Sequence, residues 1–237
     1  MKKQTLICSA MGIGLLFMLA FAANQDADTA ADTLPENEQT WTGDSWPLKT
    51  CPVSKREIVN PKTGTYDGRE VRFCCGGCKS KFEKDPATYL GPADEEIMEI
   101  YRPSYPMKTC IVMHEEPLPT DAEEFTDVVY RNRLVRLCCA RCEKKFNKEP
   151  LKYVMALNQK IIEQQGPDYP LTTCVISNKK LDSMGPMVDY VWENQLVRFC
   201  CAPCIERFNE DPQKYMKKIM SAYEAKEKTG DETASGN

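Results

Sequence analysis

The chain has 237 residues, of which 13 are cysteine and one is histidine, and its formal net charge is −4. A nucleic-acid-binding protein needs a basic surplus or a basic stripe, so this charge argues against that class of partner. The single histidine, His114, excludes histidine-rich metal cages and makes catalysis by several histidines improbable. The surplus of cysteine points to disulfides, metal binding or redox chemistry.

Residues 1–22 are typical of a secretory signal peptide. A basic start, Met1-Lys2-Lys3, precedes an apolar run from Leu6 to Ala22, with small residues at positions 20 and 22 where signal peptidase reads them. We expect cleavage after Ala22. The alternative is a retained membrane anchor, because about 17 apolar residues are at the lower limit for spanning a bilayer. In the first case Cys8 is removed with the signal peptide, and in the second it lies in the membrane. In both cases the rest of the chain is exported to the periplasm or the cell surface.

Residues 23–45 are acidic and predict a disordered linker. Six acids and no base lie between Asn24 and Asp44, with Ala, Thr and Pro among them. Such a segment cannot bury enough apolar surface to order itself. From Ser45 onward acids and bases are equal in number, so the sequence assigns the net negative charge to the linker.

Three segments repeat one pattern and predict tandem copies at 46–101, 102–166 and 167–226, followed by a disordered tail at 227–237. We call them copies one, two and three. Each has an early cysteine and then Cys-Cys-x2-Cys, after spacers of 22, 27 and 25 residues. The cysteines of the three copies are Cys51, Cys74, Cys75 and Cys78; Cys110, Cys138, Cys139 and Cys142; and Cys174, Cys200, Cys201 and Cys204.

Each copy predicts a small α+β unit, a β-hairpin followed by two short helices. Two-residue turns with Gly or Asn stand before the Cys-Cys pair, at Asp67-Gly68, Arg131-Asn132 and Glu193-Asn194. The last cysteine and a phenylalanine four residues later share one face of the first helix. An acidic residue followed by proline starts the second helix. Units of this size usually need metal, disulfides or neighbouring units for stability.

The cysteine spacing is typical of a metal site built from two knuckles, one after a loop and one at a strand-to-helix junction. The positive end of a helix stabilises thiolates there. Sulfur ligands select Zn²⁺, Cu(I) or iron–sulfur clusters. Four thiolates suit Zn²⁺, and three, or two with a methionine, suit Cu(I). All twelve cysteines of the copies are therefore candidate ligands.

The motifs resemble the YHS/TRASH family of heavy-metal-binding modules. In copy one they are Cys51-Pro-Val-Ser, Phe73-Cys74-Cys75-x-x-Cys78, Phe82 and Asp85-Pro86-x-x-Tyr89, and they recur in order in the other copies. The resemblance implies a treble-clef-like zinc knuckle and a role in metal trafficking, resistance or sensing. It places ligands at the first, second and fourth cysteine of each copy. The family often has Ser where this chain has its third cysteine, which is left to ligate, to pair with a neighbour or to stay free.

We therefore expect an exported, non-enzymatic protein that buffers, traffics or senses Cu(I) or Zn²⁺. A metal-transport or efflux protein is the expected partner, and a membrane is involved only if the signal is retained as an anchor. The alternatives are a disulfide-stapled repeat for interaction at the cell surface, which an oxidising compartment favours, and a thiol-redox protein. His114, Met184 and Met187 are further candidate ligands, although loop or core packing also explains them.

Overall fold

A computed structural model describes residues 41–114, 116–119 and 125–234, without side chains at 227 and 229–234. The signal peptide predicted at 1–22 and most of the predicted linker lie outside these residues. In the part of the chain that the structure describes, no helix is both long enough and apolar enough to cross a membrane.

The described residues form a small α+β structure in which the order strand, strand, helix, helix occurs three times. The elements are β1 Lys62–Tyr66, β2 Arg69–Phe73, α1 Gly76–Phe82, α2 Pro86–Tyr101, β3 Thr126–Tyr130, β4 Arg133–Leu137, α3 Ala140–Phe146, α4 Pro150–Gln165, β5 Val188–Trp192, β6 Gln195–Phe199, α5 Pro203–Glu210 and α6 Pro212–Ala234. The predicted hairpins and helices are thus all present.

The three hairpins have the same antiparallel register. Lys62 pairs with Phe73, Thr126 with Leu137 and Val188 with Phe199, and each hairpin closes over a two-residue turn. Both turn residues have positive φ in every copy; in copy two these are Arg131 at 48° and Asn132 at 71°. Two positive values define the primed turn whose twist matches that of the strands.

Each copy has its own apolar core between the hairpin and the helices. In copy one Val71, Phe73 and Phe82 are fully buried, and the two phenylalanine rings lie 5.1 Å apart in an edge-to-face contact. Burying one such ring stabilises the fold by roughly 1.5–3 kcal/mol. Leu137 takes the place of Phe73 in copy two and is equally buried. The core fixes the strand end and the helix start, and the cysteines lie between them.

The hairpin tips of the three copies meet around a buried group of polar residues, which we call the central polar cluster. It consists of Asp44, Asn132, Arg133, Glu193 and Asn194, each at most 2% exposed. Arg133 forms an ion pair with Asp44 and donates a hydrogen bond to the Val191 carbonyl at 2.5 Å. The Asn194 amide donates to the Leu134 carbonyl at 2.9 Å. The two hydrogen bonds join copies two and three directly, and the ion pair adds Asp44, which precedes copy one, to the same cluster.

Copy one also contacts both other copies. The Arg69 Nε donates to Asn132 Oδ1 at 2.5 Å, across the tips of the first two hairpins. The Arg72 guanidinium donates to the Asn209 and Glu210 carbonyls of copy three, at 2.5 and 3.1 Å. The three copies therefore pack as a closed group in which every copy contacts the other two.

The linker prediction is wrong for residues 41–45. Trp41, Asp44 and Ser45 are 8%, 1% and 5% exposed, and the Arg133 guanidinium lies 5.5 Å from the Trp41 ring centroid. Asp44 is one of the six acids assigned to the linker, yet it neutralises a buried arginine. At the other end, α6 continues to Ala234, so residues 227–234 of the predicted disordered tail are helical.

Candidate metal centres

The first cysteine of each copy lies at the start of a tight turn. Cys51 follows Thr50, which bridges to Glu57, and the Lys55 N–H donates to the Cys51 carbonyl at 2.8 Å. The residue four positions after the cysteine has a left-handed backbone in all copies: Lys55, His114 and Asn178 have φ of 55°, 47° and 58°. This turn buries the first cysteine completely and surrounds its sulfur with backbone N–H groups.

The second and fourth cysteines of each copy flank the strand-to-helix junction. Cys74 immediately follows β2, and Cys78 is in the first turns of α1, where its side chain is 8% exposed. Their Sγ atoms are 3.7 Å apart, and the equivalent atoms of Cys138 and Cys142 are 3.5 Å apart. The strand end and the helix start thus present two thiols to one point.

The structure brings three thiols together in each copy, which we call the thiol triads. Within a triad all Sγ atoms lie within 4.8 Å of one another. The triads are Cys51, Cys74 and Cys78; Cys110, Cys138 and Cys142; and Cys174, Cys200 and Cys204. Three buried or half-buried thiols in contact are a donor set for a soft metal ion.

The thiol spacing fits metal coordination. Zn–S bonds of about 2.3 Å in a tetrahedron place sulfurs roughly 3.8 Å apart, close to the 3.5 and 3.7 Å measured in two triads. A disulfide requires about 2.05 Å. All twelve cysteines in the described part of the chain are free thiols. The donor set therefore fits Zn²⁺ or Cu(I), and the sulfur arrangement does not identify which.

The third cysteine of each copy lies beside the triad. In copies one and two it is also the N-cap residue of the first helix. In copy three Cys201 Sγ lies 3.5 Å from Cys204 and 3.9 Å from Cys200. Cys139 Sγ lies 3.9 Å from Cys138. Cys139 and Cys201 thus lie near triad sulfurs, but none of Cys75, Cys139 and Cys201 is among the mutually close thiols.

Backbone hydrogen bonds favour the thiolate of the first cysteine. Burial raises the pKa of Cys51, but N–H groups of Cys74, Ser54 and Val53 outweigh it, and the pKa falls to about 7. The same balance lowers the pKa of Cys174 to about 7 and lowers that of Cys110. A thiolate is the form that binds metal, so each turn stabilises the charge state of its cysteine that would bind a cation.

The fourth cysteine of each copy, and the second cysteine of copy two, have a raised pKa in the metal-free protein. Burial, followed by the neighbouring thiols, raises the pKa of Cys78 to about 12. Burial likewise raises the pKa of Cys142 and of Cys204, and that of Cys138 to about 11. Three clustered thiols cannot all ionise without a cation, because the like charges repel. Metal binding at a triad must therefore release protons.

The copies differ at the third position after the first cysteine. The hydroxyl of Ser54 lies 3.3 Å from Cys74 Sγ, and that of Ser177 lies 3.2 Å from Cys200 Sγ. Copy two has Met113 there, 45% exposed, with Lys145 Nζ 3.8 Å from its Sδ. The prediction did not include these three residues as neighbours of the thiols. Alignment of the three turns was the signal that could have found them.

Other sequence candidates lie elsewhere. His114 is exposed and is not among the mutually close groups of copy two. Met184 and Met187 are 59% and 45% exposed, and Met184 contacts Lys179 at 4.0 Å. The arginines two residues before each Cys-Cys pair form ion pairs with carboxylates. The pairs are Arg72 with Glu70, Arg136 with Asp127 and Arg198 with Asp189.

Comparisons with known proteins give no relative for this chain: no family model, no curated protein and no solved structure matches it. The functional assignment therefore depends on the geometry of the triads and on the sequence motifs.

Proposed function

We propose that this chain is an exported, non-enzymatic protein that binds a soft metal ion, Cu(I) or Zn²⁺, at each of its three thiol triads. The observation that carries the proposal is the threefold recurrence of three mutually close thiols at one structural position. The turn, the strand end and the helix start that supply them resemble a treble-clef knuckle. Export is proposed from the N-terminal sequence, and membership of the YHS/TRASH family from the motifs.

The exposure of the triads supports a role in handing metal over rather than only storing it. Cys74 and Cys138 are half-buried, so a thiolate of a partner can attack a metal bound beside them. Transfer would then proceed by ligand exchange, with one sulfur leaving as another arrives. In copy three Cys200 is 2% exposed, so its metal is better shielded. A metal-transport or efflux protein is the partner we propose.

Metal content separates this function from a disulfide-stapled or redox protein. We expect up to three metal ions per chain by elemental analysis of protein purified from its natural compartment, with the thiols titratable after metal removal. A chain with twelve oxidised sulfurs and no metal would contradict the proposal and favour disulfide stapling. Disulfides that form and reopen reversibly, without metal, would favour redox chemistry.

Two triple variants test which thiols hold the metal. Cys51→Ser, Cys110→Ser and Cys174→Ser together remove one member of every triad, and we expect metal content to fall to near zero. The matched control is Cys75→Ser, Cys139→Ser and Cys201→Ser, which changes the same number of thiols beside the triads. We expect the control to keep all bound metal, with circular dichroism showing that both variants fold. Equal loss in both would make the third cysteine a full ligand.

A further inference from the structure

The three metal centres are not chemically equivalent, because one position beside each triad differs. Ser54 and Ser177 place a hydroxyl within 3.3 and 3.2 Å of a triad sulfur. A hydroxyl that donates to a thiolate withdraws part of its charge and leaves the oxygen, a hard donor, beside the metal. Copy two has no hydroxyl at this position, and Met113 stands there instead.

Met113 has access to the copy-two triad. It lines a cavity of about 410 Å³ together with Cys138, Cys139 and Cys142. Its side chain is 45% exposed, and its sulfur contacts Lys145 Nζ at 3.8 Å. Methionine is unbranched with three rotatable bonds and a polarisable thioether, and a thioether is a soft, neutral metal ligand. An ion bound by the thiols in this cavity would compete with Lys145 for the Met113 sulfur.

The charge around the same cavity also differs from that of the other copies at one position. Three thiolates carry a charge of −3, so Cu(I) leaves −2 at the centre and Zn²⁺ leaves −1. Arg141 and Lys145 line the cavity and supply two positive charges, and Glu116 supplies one negative charge, so the lining carries one net positive charge. The positions equivalent to Arg141 are Gly77 in copy one and Pro203 in copy three, which carry no charge. Arg141 is therefore a charge that the other two copies lack at this position, whereas the preference for a soft ion comes from the Met113 thioether.

We propose that Met113 makes copy two a centre selective for monovalent soft ions, Cu(I) or its analogue Ag(I). The serine-containing copies one and three, by contrast, bind Zn²⁺ as well as they bind these monovalent ions. This rests on the proposed function, in which the triads bind metal. Met113 acts as a neutral fourth donor to an ion held by Cys110, Cys138 and Cys142. A single chain would then sort two kinds of metal by copy.

Thiol protection in the full-length chain tests the proposal copy by copy. The reduced, metal-free protein receives one equivalent of Ag(I), is alkylated, and is digested for mass spectrometry. We expect Cys138 and Cys142 to be protected first. Met113→Ser should lower the Ag(I) affinity of copy two about tenfold, the lower end of losses typical when a metal site is altered. The reciprocal variant Ser54→Met should extend early protection to Cys74 and Cys78.

A second measurement separates coordination from a structural role. The methyl carbon of Met113, followed by NMR in methionine-labelled protein, should shift when Ag(I) binds and stay unchanged with Zn²⁺. Early protection that is equal in all copies, or unchanged by Met113→Ser, would overturn the selectivity while leaving the proposed function intact. If neither Ag(I) nor Zn²⁺ protects any triad, the proposed function itself fails. Because Met113 is largely exposed, its replacement should not unfold the chain.

Discussion

The two adjacent cysteines of copy two, Cys138 and Cys139, have pKa values shifted in opposite directions. Burial raises the pKa of Cys138 to about 11. Cys139 lies at the start of α3, where the backbone N–H groups of Cys142 and Arg141 lower its pKa to about 7. A residue at a helix N-terminus faces the positive end of the helix dipole, which stabilises a thiolate. Reactivity within one Cys-Cys pair is therefore set by position rather than by residue type.

This difference predicts selective alkylation of the metal-free protein. The thiolate fraction of Cys139 rises as the pH increases through about 7, whereas that of Cys138 rises only near 11. At pH 7.5 we expect iodoacetamide to modify Cys139 at least about tenfold faster than Cys138, because the thiolate is the nucleophile. Peptide mass spectrometry over time measures both rates. In urea the two rates should converge, and equal rates in the folded protein would contradict the assignment.

At the scale of single elements, the second helices of the three copies begin alike but are not capped alike. Asp85 accepts a hydrogen bond from the Thr88 N–H at 3.4 Å, and Asp211 accepts one from the Lys214 N–H at 3.3 Å. Glu149, at the same position in copy two, makes no capping hydrogen bond. Its longer side chain does not fold back onto the first turn as an aspartate does.

Replacement of these residues by alanine tests the capping. Asp85→Ala and Asp211→Ala should each lower the free energy of unfolding by about 1 kcal/mol, the usual loss for a cap. Glu149→Ala is the matched control and should change it by less than about 0.5 kcal/mol. Urea titration followed by circular dichroism gives the three values. A loss with Glu149→Ala as large as with the aspartates would show that the capping bond is not the cause.

The elements were predictable from sequence because their signals are local. Arg131-Asn132 between two apolar strands specifies a primed turn, and proline at position 150 specifies the first residue of α4. Cysteine spacing alone made all twelve cysteines candidate ligands, whereas the resemblance placed ligands at the nine cysteines that the structure brings into triads. The distances from Cys75 to the other sulfurs depend on how α1 docks onto the hairpin, and spacing along the chain does not contain that information.

At the scale of the whole molecule, the central polar cluster combines buried charges of both signs. The Arg133 guanidinium donates to Asp44, to Asn158 at 2.7 Å and to the Val191 carbonyl. Glu193 is fully enclosed beside them. Its burial, followed by the charge of Asp44, raises its pKa well above the ordinary value, so the charged form of Glu193 is disfavoured. Asp44 is thus the carboxylate that balances the buried arginine.

Asp44→Ala should destabilise the protein strongly. Removing one partner of a buried ion pair leaves an uncompensated charge, which costs about 3–5 kcal/mol. The control Lys152→Ala breaks an exposed pair with Glu149 and should cost less than about 1 kcal/mol. A chain that begins at residue 46 should lose as much stability as Asp44→Ala or more. Urea midpoints measure all three, and a stable chain beginning at residue 46 would show that the cluster does not hold the copies together.

The error in the linker prediction has a physical origin. Composition treats residues 23–45 as one acidic stretch and averages Trp41 and Asp44 with their polar neighbours. The residue that makes Asp44 structural is Arg133, 89 positions away in the sequence. An arginine inside a strand is usually exposed, so neither residue alone signals a buried pair. Contacts between copies join residues far apart in the chain, and no pattern within a single copy encodes them.

The positions of Asp44 and Glu193 set an order of events for a newly synthesised chain. The Glu193 N–H donates to Asp44 at 3.1 Å across 149 positions, so the central polar cluster stays incomplete until copy three has emerged. The cysteines of the copy-one triad all lie within residues 51–78, and those of copy two within 110–142. Both of these donor sets therefore emerge before the scaffold can close, and under the proposed function metal loading would begin before folding ends.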